Sequence, residues 1–286
     1  MAEPAGPFAI EEYTAADGYR WRYRRYPAQG QARAEVVCLH GIQSHAGWYE
    51  YSCTRLAQAG FVVSFLDRRG SGINEAQRGD APGFRRLLDD IGEFLHYLQE
   101  AKAPIFLQGI SWGGKLAVAF MRRHPGLVAG LVLLCPGFFA RVRPPLGQRL
   151  RILWCRLFRP TILFPIPLND PALFTAEPRW QQFLRQDPLR LHHASARLLL
   201  ESARLDGYLH FCRRHVKVPV LLMLAGQDRI IHNDRTRKFV EGLASVDKHI
   251  LEYPEAQHTL EFEPDPDRFI DDMIHWLESR LQGATS

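Results

Sequence analysis

Long apolar runs are missing from this chain. Nothing in it approaches the ~18 consecutive apolar residues of a membrane-crossing helix. The nearest stretch, Leu127 to Ala140, is short and is broken by Pro136 and Gly137. The start carries Glu3, Pro4 and Pro7 rather than a basic segment followed by a hydrophobic one, so no export signal is expected. Asn-x-Ser/Thr is absent as well. Cysteines number only five in 286 residues, an odd count that argues against a disulfide framework. Cys38 and Cys135 fall inside apolar stretches, where a thiol behaves as a small hydrophobe. These absences together point to the reducing cytoplasm. There is no P-loop and no G-x-G-x-x-G following a strand, which removes the common nucleotide-binding chemistries. Internal repeats and low-complexity tracts are lacking too.

Charge is only mildly unbalanced, at 36 Lys and Arg against 31 Asp and Glu, a net of +5. The excess is mostly arginine and sits in two clusters, Arg20 to Arg25 and Arg141 to Arg159. No recognised nucleic-acid motif accompanies it, so nucleic acid is not expected as a partner. A solvated surface is the first reading, and a patch for an anionic membrane surface or an acidic substrate is the second. The 46% apolar fraction is enough to fill one large core.

What is present is an alternation. Phe8 to Tyr13 and Tyr19 to Tyr26 read as strands around the turn Ala16-Asp17-Gly18. The short apolar strands Glu35 to Leu39, Phe61 to Leu66, Ala103 to Leu107 and Val128 to Leu134 are separated by helices. One of these, Phe84 to Glu100, carries Leu87, Leu88, Ile91, Leu95 and Leu98 on a single face. The fold class expected is α/β: a mostly parallel, doubly wound sheet with an N-terminal antiparallel hairpin. The alternation stops after Pro136-Gly137 and resumes with the strand Val218 to Leu224, followed by helix Asn233 to Leu243, strand His249 to Tyr253 and helix Pro266 to Leu281. The expected organisation is a core in two parts, 1–137 and 217–286, interrupted by a mostly helical cap at 138–216 that includes a helix over Ala194 to Tyr208. The cap aromatics Trp154, Phe158, Phe164, Phe174 and Trp180 are expected to form its core. Asp89-Asp90 and Asp271-Asp272 read as solvated helix faces, and His210 to His215 as no metal site, since arginines flank the histidines.

The residues that carry chemistry begin with Gly109-Ile110-Ser111-Trp112-Gly113, set between a strand and a helix. That is the context of a nucleophile elbow, in which glycines two positions either side of the serine relieve crowding in a tight turn. A serine hydroxyl needs a base, and the base needs an orienting carboxylate. Both are expected on loops at the carboxyl ends of later strands. Asp228, in Ala225-Gly226-Gln227-Asp228, and His258, in Gln257-His258-Thr259, occupy such loops. The order Ser111, Asp228, His258 is that of an α/β-hydrolase triad. The oxyanion donors expected are the backbone amides of Trp112 and Ile42. His40, Gly41 and Trp112 are expected to border the substrate.

In these residues the chain resembles the monoacylglycerol lipase and lysophospholipase group of α/β-hydrolases, also called serine aminopeptidase-like. The resemblance runs from about Val36 to Trp276. It rests on His40-Gly41 with His45, Asp67 with Gly70 and Gly72, the elbow with Gly114, Asp187-Pro188-Leu189, Val218-Pro219-Val220, Gly226-x-Asp228 and the His258 loop. It implies a cytosolic or membrane-peripheral esterase that needs no cofactor or metal and cleaves single-chain acyl esters such as monoglycerides and lysophospholipids. An acyltransferase or peptidase on the same triad, or a non-catalytic receptor on the same fold, are the alternatives. The loop reads His40-Gly41-Ile42-Gln43-Ser44-His45 where the group has H-G-x-G-E-H, and Trp112 stands where methionine is common. Gln43 and Trp112 are therefore expected to narrow or reshape the pocket.

Overall fold

A computed structural model describes residues 7–99 and 103–282. Glu3, Pro4 and Glu100, used above, lie outside the described residues. Strands β1 (Ala9–Thr14) and β2 (Arg20–Tyr26) form the antiparallel hairpin, with Ala9 opposite Arg25 and Thr14 opposite Arg20. Then come β3 (Ala34–Leu39), α1 (Glu50–Gln58), β4 (Phe61–Leu66), α2 (Phe84–Leu98), β5 (Ile105–Ile110), α3 (Trp112–Arg123) and β6 (Gly130–Leu134). After an intervening segment the alternation continues with β9 (Val220–Ala225), α7 (Asn233–Glu241), β10 (Lys248–Tyr253) and α8 (Asp267–Gln282).

These make one eight-stranded sheet in the order β1-β2-β4-β3-β5-β6-β9-β10, antiparallel at β1/β2 and β2/β4 and parallel elsewhere. The order explains the sequence pattern. β3, β5, β6 and β9 are inner strands whose every residue is buried, so they read as unbroken apolar runs. β10 is an edge strand and is buried only at Tyr253. The chain leaves β3 for β4 on one side, then crosses back to β5 on the other side of β3. Right-handed crossovers then put α1 and α2 on opposite faces, where α1 packs with α8 and α2 with α3. The reversal leaves a crevice between the carboxyl ends of β3 and β5, the usual ligand position in such sheets. The loop starting at His40 and the turn at Ser111 meet there.

Between β6 and β9 lie α4 (Leu146–Phe158), β7 (Leu163–Pro165), α5 (Pro178–Gln186), β8 (His193–Ser195) and α6 (Ala196–Leu209). The β7/β8 ladder, pairing Phe164 with Ala194, has no counterpart in the sequence reading; three residues are too few to display a period of two. The aromatics of this segment divide. Phe164 and Phe174 are buried, and Trp180 packs partly covered against the core. Trp154 and Phe158 lie on the outer face of α4 at 58% and 66% exposure, so the expectation that they form a cap core is corrected. Asp90 is corrected as well: it is fully buried and bonded to Arg69 and Arg86, while Asp89 pairs with Arg123. All five cysteines are buried and free. Among the described residues no helix is long and apolar enough to cross a membrane.

Candidate active site

β5 ends at Ile110 and α3 starts at Trp112, so a single residue turns the chain. Ser111 takes φ 51° and ψ −118°, a conformation that L-residues rarely adopt. The turn is held by the Ser111 amide donating to Leu134 O at 2.9 Å, and by Ser111 O accepting from Gly137 N at 2.8 Å and Gly114 N at 3.0 Å. The flanking glycines are required by close approach. A Cβ at Gly113 would sit 2.2 Å from Leu39 O, and one at Gly109 would sit 2.7 Å from the Cα of Gly114.

Ser111, His258 and Asp228 come together across 147 and 30 residues of sequence separation. Ser111 Oγ lies 2.9 Å from His258 Nε2, and His258 Nδ1 lies 2.6 Å from Asp228 Oδ2. Asp228 Oδ1 accepts from the amides of Ile230 (2.7 Å) and Ile231 (3.0 Å), which fixes the carboxylate. Oδ1 is thus occupied by two backbone donors, and Oδ2 is left for a His258 Nδ1–H donor. The tautomer that follows has a bare Nε2 facing the serine hydroxyl. Cys135, the first residue after β6, brings its thiol within 4.8 Å of the ligating atoms of both Asp228 and His258. Burial, and then the Asp228 charge, push that thiol well above its ordinary pKa, so it stays protonated.

The other expected residues separate into two groups. Ile42 and Trp112 line the same cavity as Ser111, and among the described residues neither of their amides has an acceptor. A Cβ at Gly41 would lie 3.4 Å from Ser111 Cβ, so the loop passes directly against the serine. His40 does not border the cavity, and the expectation that it touches substrate is corrected. Its ring is buried: Nδ1 donates to Gly41 O at 2.7 Å, and Nε2 accepts from Arg68 N at 3.1 Å. Burial, then the Arg68 charge, hold its pKa well below the usual histidine range, so it is neutral. Gln43 also stays out of the cavity. Its Oε1 accepts from Arg190 Nη2 at 2.9 Å, and its carbonyl accepts from Leu191 N. Two residues on, His45 Nε2 meets Asp187 Oδ2 at 3.0 Å, where Trp48 Nε1 also donates at 2.6 Å. The 40–45 loop is therefore clasped to residues 187–191. Trp112 does line the cavity, with its Nε1 donating to Ser202 on α6 at 2.8 Å.

The cavity measures ≈ 590 Å³. Its floor is Ile42, Ser111 and Trp112, with Phe138, Ile152 and Ile231 among its apolar walls. Its titratable lining is Lys115, Arg143, Arg149, His210 and Arg235 against one carboxylate, Asp206, which is paired with Lys115.

Glu261, three residues beyond His258, carries a pH-dependent strain. It is buried: Oε1 accepts from Ser52 N at 2.9 Å, and Oε2 has no partner among the described residues. Burial, only partly offset by the Ser52 hydrogen bonds, pushes its carboxyl up to about 7. The folded state therefore binds this proton more tightly than the unfolded chain, whose value is about 4.3. The stabilisation is complete below about pH 4 and is lost as pH rises through about 7, an effect on the order of 3 kcal/mol. Glu261→Gln is expected to melt higher than the wild type at pH 8.5 and to show little difference at pH 4.5. The same offset at both pH values in thermal melts would contradict the assignment.

Comparisons with known proteins give the chain's family and fold. The family model described as serine aminopeptidase, S33, matches residues 30–265. The monoacylglycerol lipase of Mycolicibacterium smegmatis is 26% identical over 275 residues, covering 94% of this chain and 96% of that protein. Two solved structures superpose closely. A soluble variant of the monoglyceride lipase of Saccharomyces cerevisiae, in complex with a substrate analogue, gives a TM-score of 0.83 at 19% identity, covering 96% of both chains. The monoacylglycerol lipase of Paleococcus ferrophilus gives 0.81 at 25% identity, covering 90% of this chain and 99% of that one. This chain belongs to the serine aminopeptidase, S33, family and is a hydrolase of the α/β-hydrolase fold.

Proposed function

We propose that the protein is a serine carboxylester hydrolase acting on single-chain acyl esters of the monoglyceride or lysophospholipid type. The observation that carries this reading is the unbroken chain of hydrogen bonds from Ser111 through His258 to Asp228 at the floor of an apolar cavity. His258 takes the Ser111 proton as Oγ attacks the ester carbonyl, and Asp228 stabilises the imidazolium that forms. The amides of Ile42 and Trp112 receive the oxyanion. Collapse of the tetrahedral intermediate passes the His258 proton to the leaving alcohol. Water, deprotonated by the same histidine, then releases the acyl group from Ser111.

Ester rather than peptide substrates are favoured by the charge of the cavity. A peptidase of amino termini needs a free carboxylate to hold the substrate amine. Glu177 and Glu201 do not border the cavity, and Asp206 is held by Lys115. The segment 138–216 serves as a cap that selects the acyl chain, since Ile152, Ile166 and Leu199 wall the cavity. Each methylene buried there contributes ~0.8 kcal/mol, roughly fourfold in kcat/KM. A series of glycerol monoesters from two to ten carbons is expected to show kcat/KM climbing with chain length to a plateau. A flat series would remove the cap as selector, and no turnover of any ester by the wild type would favour a non-catalytic receptor.

The same reading includes contact with an anionic membrane surface through α4. Leu146, Leu150, Trp154, Leu157 and Phe158 recur at about one helical turn and are 58–76% exposed, forming an apolar stripe on the outer face. Arg151 and Arg159 lie exposed on or just after the same helix, and among the described residues neither meets a carboxylate. By contrast, Arg24 and Arg25 of the other cluster pair with Glu50 and Glu35. An amphipathic helix with unpaired arginines fits an anionic interface. Replacing Leu150 and Leu157 with aspartate is expected to abolish sedimentation with phosphatidylglycerol vesicles while leaving turnover of a short soluble ester within about twofold. Undiminished vesicle binding would sink the assignment.

A further inference from the structure

Arg68 follows β4 and is buried, at 6% exposure. Its neighbours are otherwise engaged: Asp67 accepts from the amides of Ala46 and Ile73, and Arg69 pairs with Asp90 and Asp17. Among the described residues no carboxylate forms an ion pair with Arg68, although burial disfavours a lone cation. Burial lowers its pKa to about 10, which still leaves it charged at neutral pH. Its fork points at the 40–45 loop instead. Nη1 donates to Gly41 O at 2.9 Å and Nη2 to Ile42 O at 2.6 Å. The guanidinium also lies over the Trp112 indole, 5.1 Å from the ring centre. Its own backbone amide fixes the tautomer of His40, whose Nδ1–H is the second donor to Gly41 O.

The carbonyl of Gly41 and the amide of Ile42 belong to one peptide group. Two donors on that carbonyl, one of them cationic, orient the peptide so that its N–H faces away from Arg68. They also draw electron density from the nitrogen, making the N–H a stronger donor, since hydrogen bonds polarise one another along a chain. We infer that Arg68, assisted by His40, is a positioning residue for the oxyanion hole: it pins and polarises the Gly41–Ile42 peptide, and its unpaired charge stabilises the tetrahedral oxyanion on Ser111. This rests on the serine-hydrolase reading above. It also accounts for a buried cation that stability alone would remove, because a fixed charge near developing negative charge acts only as the transition state forms.

The test compares the wild type with Arg68→Gln and Arg68→Lys. Loss of a direct oxyanion donor costs about 10²–10³ in kcat. A residue acting through that donor is expected to cost less, so Arg68→Gln should lower kcat by about 10–100-fold with KM within about threefold. Arg68→Lys, keeping the charge but not the fork, should fall between it and the wild type. A boronic acid that adds to Ser111 as a tetrahedral anion should lose affinity in the same order and by similar factors. The melting temperature should hold or rise in Arg68→Gln, which a merely structural role would not permit. Unchanged boronate affinity alongside reduced kcat would overturn the inference, as would an unchanged kcat. If Arg68→Gln does not fold, its thermal expectation has failed and Arg68→Lys decides: kcat and boronate affinity falling together at an unchanged melting temperature support the inference, and either one unchanged overturns it. A wild type that neither binds the boronate nor labels with a fluorophosphonate would instead overturn the serine-hydrolase reading beneath it, and this outcome is visible before any variant is made.

Discussion

Ser111→Ala is expected to lower ester turnover by about 10⁴–10⁶-fold and to abolish labelling by a fluorophosphonate, with the label on the wild type mapping to the peptide that contains Ser111. The expectation follows from the hydrogen-bond chain, in which Ser111 Oγ is the group presented to the bare Nε2 of His258. Any residual rate would come from the cavity and the amides of Ile42 and Trp112 acting on water. Alanine has no group to lose a proton and adds no bulk, so the fold should be unaffected. Full hydrolysis by Ser111→Ala would falsify the mechanism.

Asp228→Asn is expected to cost about 10³–10⁴ in kcat, less than the loss of Ser111 or His258. The asparagine is forced into one orientation. The amides of Ile230 and Ile231 both donate to Oδ1, so the side-chain oxygen stays with them and the NH₂ takes the place of Oδ2. That NH₂ faces His258 Nδ1, which must then accept. The ring proton moves to Nε2, where it opposes the serine hydroxyl, and the base is lost although no atom has moved far. Measured kcat against pH should show the residual activity of Asp228→Asn persisting only at alkaline pH, where hydroxide replaces the base. A variant with kcat within about fivefold of wild type would mean that Asp228 only caps its loop.

Most of the architecture was legible because each inner strand is buried on both faces and is therefore written as a short apolar run between amphipathic helices. The three triad positions were legible for a related reason. Ser111 follows an inner strand directly, and Asp228 and His258 lie on the short loops three and five residues after β9 and β10, where a polar residue able to do acid–base chemistry stands out. The contacts that shape the 40–45 loop were not legible. Gln43 meets Arg190 across 147 residues, and His45 meets Asp187 across 142, and no local periodicity encodes such pairs. For the same reason Gln43 was expected in the pocket and His40 at the substrate, when both side chains tie the backbone from behind. α4 was missed differently. Trp154 and Phe158 were expected in a cap core because aromatic residues are usually covered, but composition does not say which way a stripe faces, and here it faces solvent. The role inferred for Arg68 was hidden because a buried arginine and a surface arginine read alike in a row of letters.

The backbone at Ser111 has a consequence for how this chain would change under selection. With φ at 51°, the position suits glycine, and holding a serine there costs roughly 1–2 kcal/mol. A library sorted for heat resistance alone, with no score for turnover, should therefore enrich Gly at residue 111 and lose the nucleophile early. The same sorting should also replace the uncompensated Arg68. A parallel library sorted for heat resistance and turnover together should keep Ser111, so the identity of this one residue reports which property a selection on this chain has acted upon.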